Sequence, residues 1–298
     1  MSESPVQTAS LAAQHAALSK PHGTWYLLRH NRIAMLGLVF VAVWTLGAAV
    51  APFLPYGPNE TGVGPLTAPP SLAHPFGTDN FGRDIFTRVL TGGQFSLWTG
   101  LIAVAISVSI GVPIGGFAAY VGGRVGSVLM RLMDVLLAFP SLVLAMAIAA
   151  TLGRGMTSAM VAVGIVGIPE FARIMYSQTV SLKQRDFVEA GRAVGLANVT
   201  ILWRHIIPNA LGPILVRGTL GMGYAILTAA SLSFIGLGAQ TPMAEWGVMI
   251  ADGRGYIISG DWWMTFFPGL AISTSILGFN LLGDGLRDVL DPRLRTST

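Results

Sequence analysis

Six apolar stretches recur along the chain, at residues 33–51, 95–121, 128–151, 156–176, 210–237 and 265–282. Each is near the roughly 20 residues that a helix needs to cross a bilayer. Inside hydrocarbon no water can satisfy backbone N–H and C=O groups, so such runs must close their hydrogen bonds internally, as helices. Composition removes the soluble alternative. Of the 298 residues 52% are hydrophobic and 11% charged, less than half the ~25% charged share of an ordinary soluble domain. Mean hydropathy is +0.63. The sequence therefore predicts an all-α polytopic membrane protein with six transmembrane helices. The 37 glycines suit it, because small residues let helices approach closely without aqueous solvent between them.

Residues 1–32 are polar, with an Ala-rich stretch at 8–18 that could form a short helix. Ala49-Val50-Ala51 looks like a signal-peptidase site. A signal peptide, however, has a short basic start and an apolar centre of roughly 7–15 residues. Here both the polar lead and the apolar run are longer, and residues 33–51 read as a retained first span. Residues 52–94 form a long connection. Six prolines between Pro52 and Pro70 disfavour regular helix there, and residues 85–90 read as a short amphipathic helix. Asp79, Arg83, Asp84 and Arg88 could pass for a catalytic or metal cluster. Without a histidine pair beside the carboxylates, a loop closed by ion pairs is the expectation.

Residues 95–285 form the core, with five spans, and residues 286–298 a tail. Pro113 is expected to bend the second span, and Arg124 and Arg131 to bracket the turn before the third. With the N-terminus cytoplasmic, only Arg83, Arg88, Arg154 and Arg254 of the 18 Lys and Arg residues face outward. The positive-inside rule then puts both termini and the interval 183–213 in the cytoplasm. Adding or removing one span would destroy this asymmetry.

Several chemistries are excluded. There are no cysteines, hence no disulfides, thiolate metal sites or cysteine nucleophiles. The five histidines fall in tails or loops, without a His-x-x-x-His zinc pattern or a Gly-x-Ser-x-Gly elbow. An intramembrane hydrolase would lack its base. The two lysines, Lys20 and Lys183, sit in no Gly-Lys-Ser/Thr context, so ATP cannot bind through a P-loop of this chain. Asp134 and Glu170 are carboxylates at membrane depth, where a proton relay is the default suspicion. Each has an arginine three residues away, Arg131 and Arg173, and same-face ion pairs are the simpler expectation.

The longest charged interval inside the core is residues 183–213. Residues 186–197 carry a helical pattern, with Phe187, Ala190 or Gly191, and Val194 on one face and Arg185, Glu189 and Arg192 on another. The i,i+4 and i,i+3 charge pairs each stabilise by a few tenths of a kcal/mol, on the order of 0.2–0.5. Gly191 and Gly195, four apart, suggest a strip open to a partner's close approach. Ala197-Asn198 suits a turn, and residues 200–207 read as a second helix stopped before Pro208. Spacing alone leaves two readings: docking to a partner, or an amphipathic helix lying on anionic lipid.

Glu189-Ala190-Gly191, three residues, Gly195, nine residues, then His205-Ile206-Ile207-Pro208 resembles the signature E-A-A-x3-G-x9-I-x-L-P of ABC-transporter permeases. Gly191 replaces the second Ala of that signature, His205 the Ile and Ile207 the Leu. His74-Pro75-Phe76-Gly77-Thr78-Asp79 with Gly82-Arg83-Asp84, Ser231 to Gly238, Glu245-Trp246-Gly247 and Asn280 to Asp288 are similar to one subgroup. That subgroup is the dipeptide/oligopeptide/nickel importer family, in its second, C-type membrane subunit, where His205 is expected. The resemblance implies a type I ABC importer permease fold, without catalytic or metal residues. It also implies a homologous second permease, two ABC ATPases that bind ATP and Mg, an extracytoplasmic solute-binding protein, membrane lipid around the spans, and no nucleic acid. On these residues it puts ATPase coupling at Asp186, Glu189, Ala190, Gly191, Gly195 and Pro208. Tyr120, Met146 and Tyr224 are candidate pathway-lining residues on the spans. The alternatives are a channel or scaffold without an ATPase, and a relative carrying nickel or another small solute.

Overall fold

The computed structural model describes residues 24–290; the expected helix at 8–18 and the tail beyond 290 lie outside them. Helix α1 (Thr24–His30) leads into α2 (Arg32–Val50), whose start is capped by the Asn31 side chain accepting from the Ile33 and Ala34 amides. A 3-10 turn, Ala51–Phe53, ends it. The order continues α3 (Ile85–Val121), α4 (Gly123–Ala138), α5 (Ser141–Leu152), α6 (Met156–Leu182), α7 (Asp186–Ala193), α8 (Asn198–Ile201), α9 (Ile207–Asn209), α10 (Leu211–Ile235), α11 (Trp246–Gly253) and α12 (Trp263–Leu290). Among the described residues five helices are long and apolar enough to cross a membrane, and six if the bent pair α4–α5 counts as one.

That pair stands where the third span was expected, at 128–151. The chain turns by 95° between α4 and α5. Pro140 causes the break: it lacks an N–H and pushes the residue before it out of the helical region, and Phe139 is extended at φ −83°, ψ 140°. The turn placed between Arg124 and Arg131 is instead at Gly122 and Gly123, with both arginines inside α4. The short helix expected at 85–90 is the first stretch of the 37-residue α3, started by Asp84 accepting from the Thr87 amide.

Small residues set the helix crossings. A Cβ on Gly111 would lie 2.6 Å from the Ile168 carbonyl oxygen, and one on Gly115 would overlap the carbonyl of Ala172. This Gly-x-x-x-Gly strip therefore seats α3 directly on the α6 backbone. On the other side, Gly278 and Gly285 of α12 receive Phe40 and Ala34 of α2. Indole N–H groups pin the far end: Trp246 Nε1 donates to the Val89 carbonyl at 2.8 Å, and Trp263 Nε1 to the Thr78 carbonyl at 3.1 Å.

The connection 52–84 folds around buried charge. Arg83 Nε donates to Asp79 Oδ2 at 2.6 Å, Arg88 Nε lies 3.7 Å from the same oxygen, and Arg88 also donates to the Pro58 carbonyl at 2.7 Å. His74 Nδ1 and Asp84 Oδ1 are 2.9 Å apart. The ion-paired loop is thus as expected, with His74 as an additional member. Asp252 of α11 extends it, its carboxyl raised above the ordinary value by burial and pulled back by Arg83. Burial likewise raises Glu245, which caps α11 by accepting from the Val248 amide at 3.0 Å.

Candidate functional site

At the opposite end of α3 and α6 from these connections, residues 183–210 form a compact helical hairpin. Helix α7 starts at the extended Arg185 and stops at Gly195, whose φ is +79°. The stop is a Schellman motif: the Leu196 amide donates to the Gly191 carbonyl, and the Gly195 amide to the Arg192 carbonyl, both at 3.0 Å. Ala197 is extended, α8 follows, and a π-helical turn, Leu202–Ile206, leads into α9. Helical geometry continues through Pro208, which occupies the first turn of α9. There its missing N–H costs little, so the expected stop before Pro208 is absent.

The hairpin has a core of its own. Val188, Ile201 and Ile206 are fully buried against Met175 of α6. Two expectations change here. The buried face of α7 carries Val188 and Gly191, while Phe187 and Val194 are exposed. Gly191 and Gly195 do not share an open strip, because Gly191 packs inward against Leu196 and Ile201 and Gly195 faces open space. Asp186, Glu189, Ala190 and Pro208 are exposed. Among the described residues neither Arg185 nor Arg192 pairs with Glu189; Arg192 instead lies 5.8 Å from the Tyr120 ring centroid.

Two polar ties fasten the hairpin to the bundle. The hydroxyl of Tyr120 bonds Asn198 Oδ1 at 2.8 Å, and Lys183 Nζ donates to the Ala119 carbonyl at 3.0 Å. Tyr120 thus sits at the end of α3, under the hairpin. Met146 is half-buried on α5, packed against a cluster of alanines. Of the three candidate pathway residues only Tyr224 lines the cavity described next.

That cavity, of about 380 Å³, lies between α3, α4, α5, α6 and α10. Glu170 of α6 and Arg217 of α10 meet in it as an ion pair, and the Tyr224 hydroxyl bonds the Ser141 hydroxyl across it. The expected i,i+3 pairs are therefore replaced by cross-helix ones. Arg217 takes Glu170, while Arg173 Nη2 donates to Asp134 Oδ1 at 2.7 Å. In the sequence Arg217 counts only toward the cytoplasmic charge bias, although it falls within the predicted span 210–237. Its signal was a lone cation six residues inside an apolar helix.

Comparison with known proteins bears on this arrangement. Residues 111–296 match the family model of the binding-protein-dependent transport system inner membrane component. The chain belongs to that family. A second model, the N-terminal transmembrane domain of oligopeptide transport permease C, covers residues 22–70. As a permease subunit of an ABC transporter, the chain has relatives matched along nearly their whole length. It is 43% identical to the dipeptide transport system permease protein DppC of Alkalihalophilus pseudofirmus, over 95% of this chain and 93% of that protein. It is 44% identical to the glutathione transport system permease protein GsiD of Escherichia coli, over 92% and 91%. A solved structure of the MetNI methionine ABC transporter in inward-facing conformations superposes with a TM-score of 0.56, covering 68% of this chain and 96% of that one. At 16% identity this likeness bears on the fold alone, and the fold is that of a type I ABC importer permease.

Proposed function

We propose that the chain is the C-type membrane subunit of an ATP-driven importer of short peptides. It lies in the bacterial cytoplasmic membrane with both termini inside. The observation that carries the substrate is the 43% identity, over 95% of the chain, to a dipeptide transport permease. A homologous second permease completes the pathway, and a solute-binding protein delivers the peptide from outside. Two ATPase subunits bind ATP and Mg; this chain holds no cofactor.

The hairpin 183–210 is the ATPase-docking element. Its helix α7 presents Asp186 and Glu189 in an exposed first turn, so neither carboxylate must break an internal ion pair to meet a partner's cation. The buried Val188, Ile201 and Ile206 keep the hairpin stiff, and a stiff element transmits displacement instead of absorbing it. Closure of the ATPases moves α7, and through it α6 and α10. The decisive test is reconstitution of the four subunit types in proteoliposomes with labelled dipeptide outside. Uptake should require ATP inside, and Glu189→Ala should lower both uptake and retention of the ATPases during purification. Full retention and full uptake by Glu189→Ala would remove the hairpin from coupling. Uptake without any ATPase would mark a channel instead.

A further inference from the structure

The ion pair in the internal cavity does more than neutralise two charges. Glu170 and Arg217 lie in the membrane-spanning bundle, where an unpaired charge is costly. Yet the pair is not sealed: the side chains keep 44% and 25% of their surface open. Around it stand Ser107, Phe139, Ser141 and Tyr224. The Ser107 hydroxyl is committed to the Gly164 carbonyl at 2.7 Å, whereas Ser141 and Tyr224 bond each other. The cavity's 380 Å³ falls within the roughly 300–1,000 Å³ typical of small-molecule sites.

We propose that this cavity is a charge-matching subsite for a zwitterionic solute, with Glu170 taking an ammonium and Arg217 a carboxylate. The argument is one of charge balance. A solute carrying one charge of each sign exchanges the Glu170–Arg217 pair for two new pairs and leaves no charge unmatched. A solute with a single net charge occupies one partner and leaves the other without a counter-charge among mainly apolar walls. The guanidinium suits this role because its planar fork grips a carboxylate through two parallel N–H donors. The Tyr224 and Ser141 hydroxyls can turn from each other to an intervening peptide group. The unliganded site is neutral, so the pathway attracts neither free anions nor free cations. The inference rests on the peptide-import reading, since the two ends of a short peptide supply both charges.

The test uses the full transporter, with its own binding protein, in proteoliposomes. The probes are Ala-Ala, N-acetyl-Ala-Ala and Ala-Ala amide. Uptake of each probe is taken as a ratio to Ala-Ala, and that ratio is divided by its wild-type value, which cancels any preference of the binding protein. Glu170→Gln leaves an uncompensated Arg217, and its N-acetyl-Ala-Ala ratio should rise about tenfold. Arg217→Gln should raise the amide ratio by a similar factor. The double variant Glu170→Gln/Arg217→Gln carries no unpaired charge and so tests the site without the penalty of a stranded ion. It should stay assembled, as read by co-purification with the ATPases, and lose discrimination among the three probes. Ratios unchanged in all three variants, with wild type importing Ala-Ala, would overturn the subsite and leave the peptide reading standing. Stimulated ATPase in wild type with uptake of no probe would overturn the peptide reading, and this inference with it.

Discussion

Gly195 separates strain from docking. Its φ of +79° lies in the left-handed region, and a Cβ placed there meets nothing within 4 Å of the chain. Any non-glycine residue therefore carries the backbone penalty, about 1–2 kcal/mol, without a clash. Asn carries less, because its side chain tolerates that region. A penalty of this size corresponds to roughly a 5–30-fold shift in a local equilibrium, here between the Schellman-closed and frayed ends of α7. Gly195→Ala should accordingly weaken ATPase binding by up to that factor, Gly195→Asn by less, and Gly195→Trp by the Ala factor plus whatever the partner's surface adds. The assay is titration of the purified permease pair in nanodiscs with the ATPase, read as a dissociation constant. Equal constants for Ala and Trp would show that no partner approaches Gly195. A wild-type constant for Ala would refute the strain argument itself.

Other positions give simpler expectations. Gly115→Ala forces a Cβ into the carbonyl of Ala172, and overpacking of this kind costs about 1–3 kcal/mol; thermal unfolding in detergent should show an earlier transition. Asp79→Ala strips the buried Arg83 of its 2.6 Å partner and leaves it only Asp252 at 3.9 Å, a loss of up to about 3–5 kcal/mol, read by the same melt or by loss of insertion. Burial raises the Glu245 carboxyl, so the folded state holds its proton more tightly than the unfolded chain does. The associated stability is present in full below the unfolded carboxylate value, about 4.3, and is lost as pH rises through the folded value. Glu245→Gln should remove that pH dependence, gaining on wild type as the pH of the melt is raised. A pH-independent difference would mean that folding leaves the Glu245 carboxyl at its unfolded value.

The spans were legible because length and hydropathy state them directly, and the signature placed the hairpin. What the sequence hid was tertiary. Arg131 and Arg173 looked like the partners of Asp134 and Glu170 because i,i+3 spacing is visible along one helix. The actual partners sit on neighbouring helices, Arg173 for Asp134 and Arg217 for Glu170, and no local spacing encodes that choice. Gly191 and Gly195 looked alike for a related reason. Spacing reports that they are four apart; only the backbone reports that one is helical and buried while the other caps the helix. The break at Pro140 was available in principle, since Phe139-Pro140 stood inside a predicted span. A 24-residue apolar run at 128–151 outweighed it.

The two halves of the site are mechanically one. Glu170 stands twelve residues before Leu182, the end of α6, or about 18 Å at 1.5 Å per residue. Arg217 stands six residues after Leu211, the start of α10, about 9 Å by the same rise. The hairpin thus joins the two helices that carry the ion pair, and it grips α6 through Met175 and α3 through Tyr120. On the proposed docking, a push on α7 reaches Glu170 through α6 and Arg217 through α10, at different distances from the hairpin. Any movement that parted the two groups would release a solute bridging them.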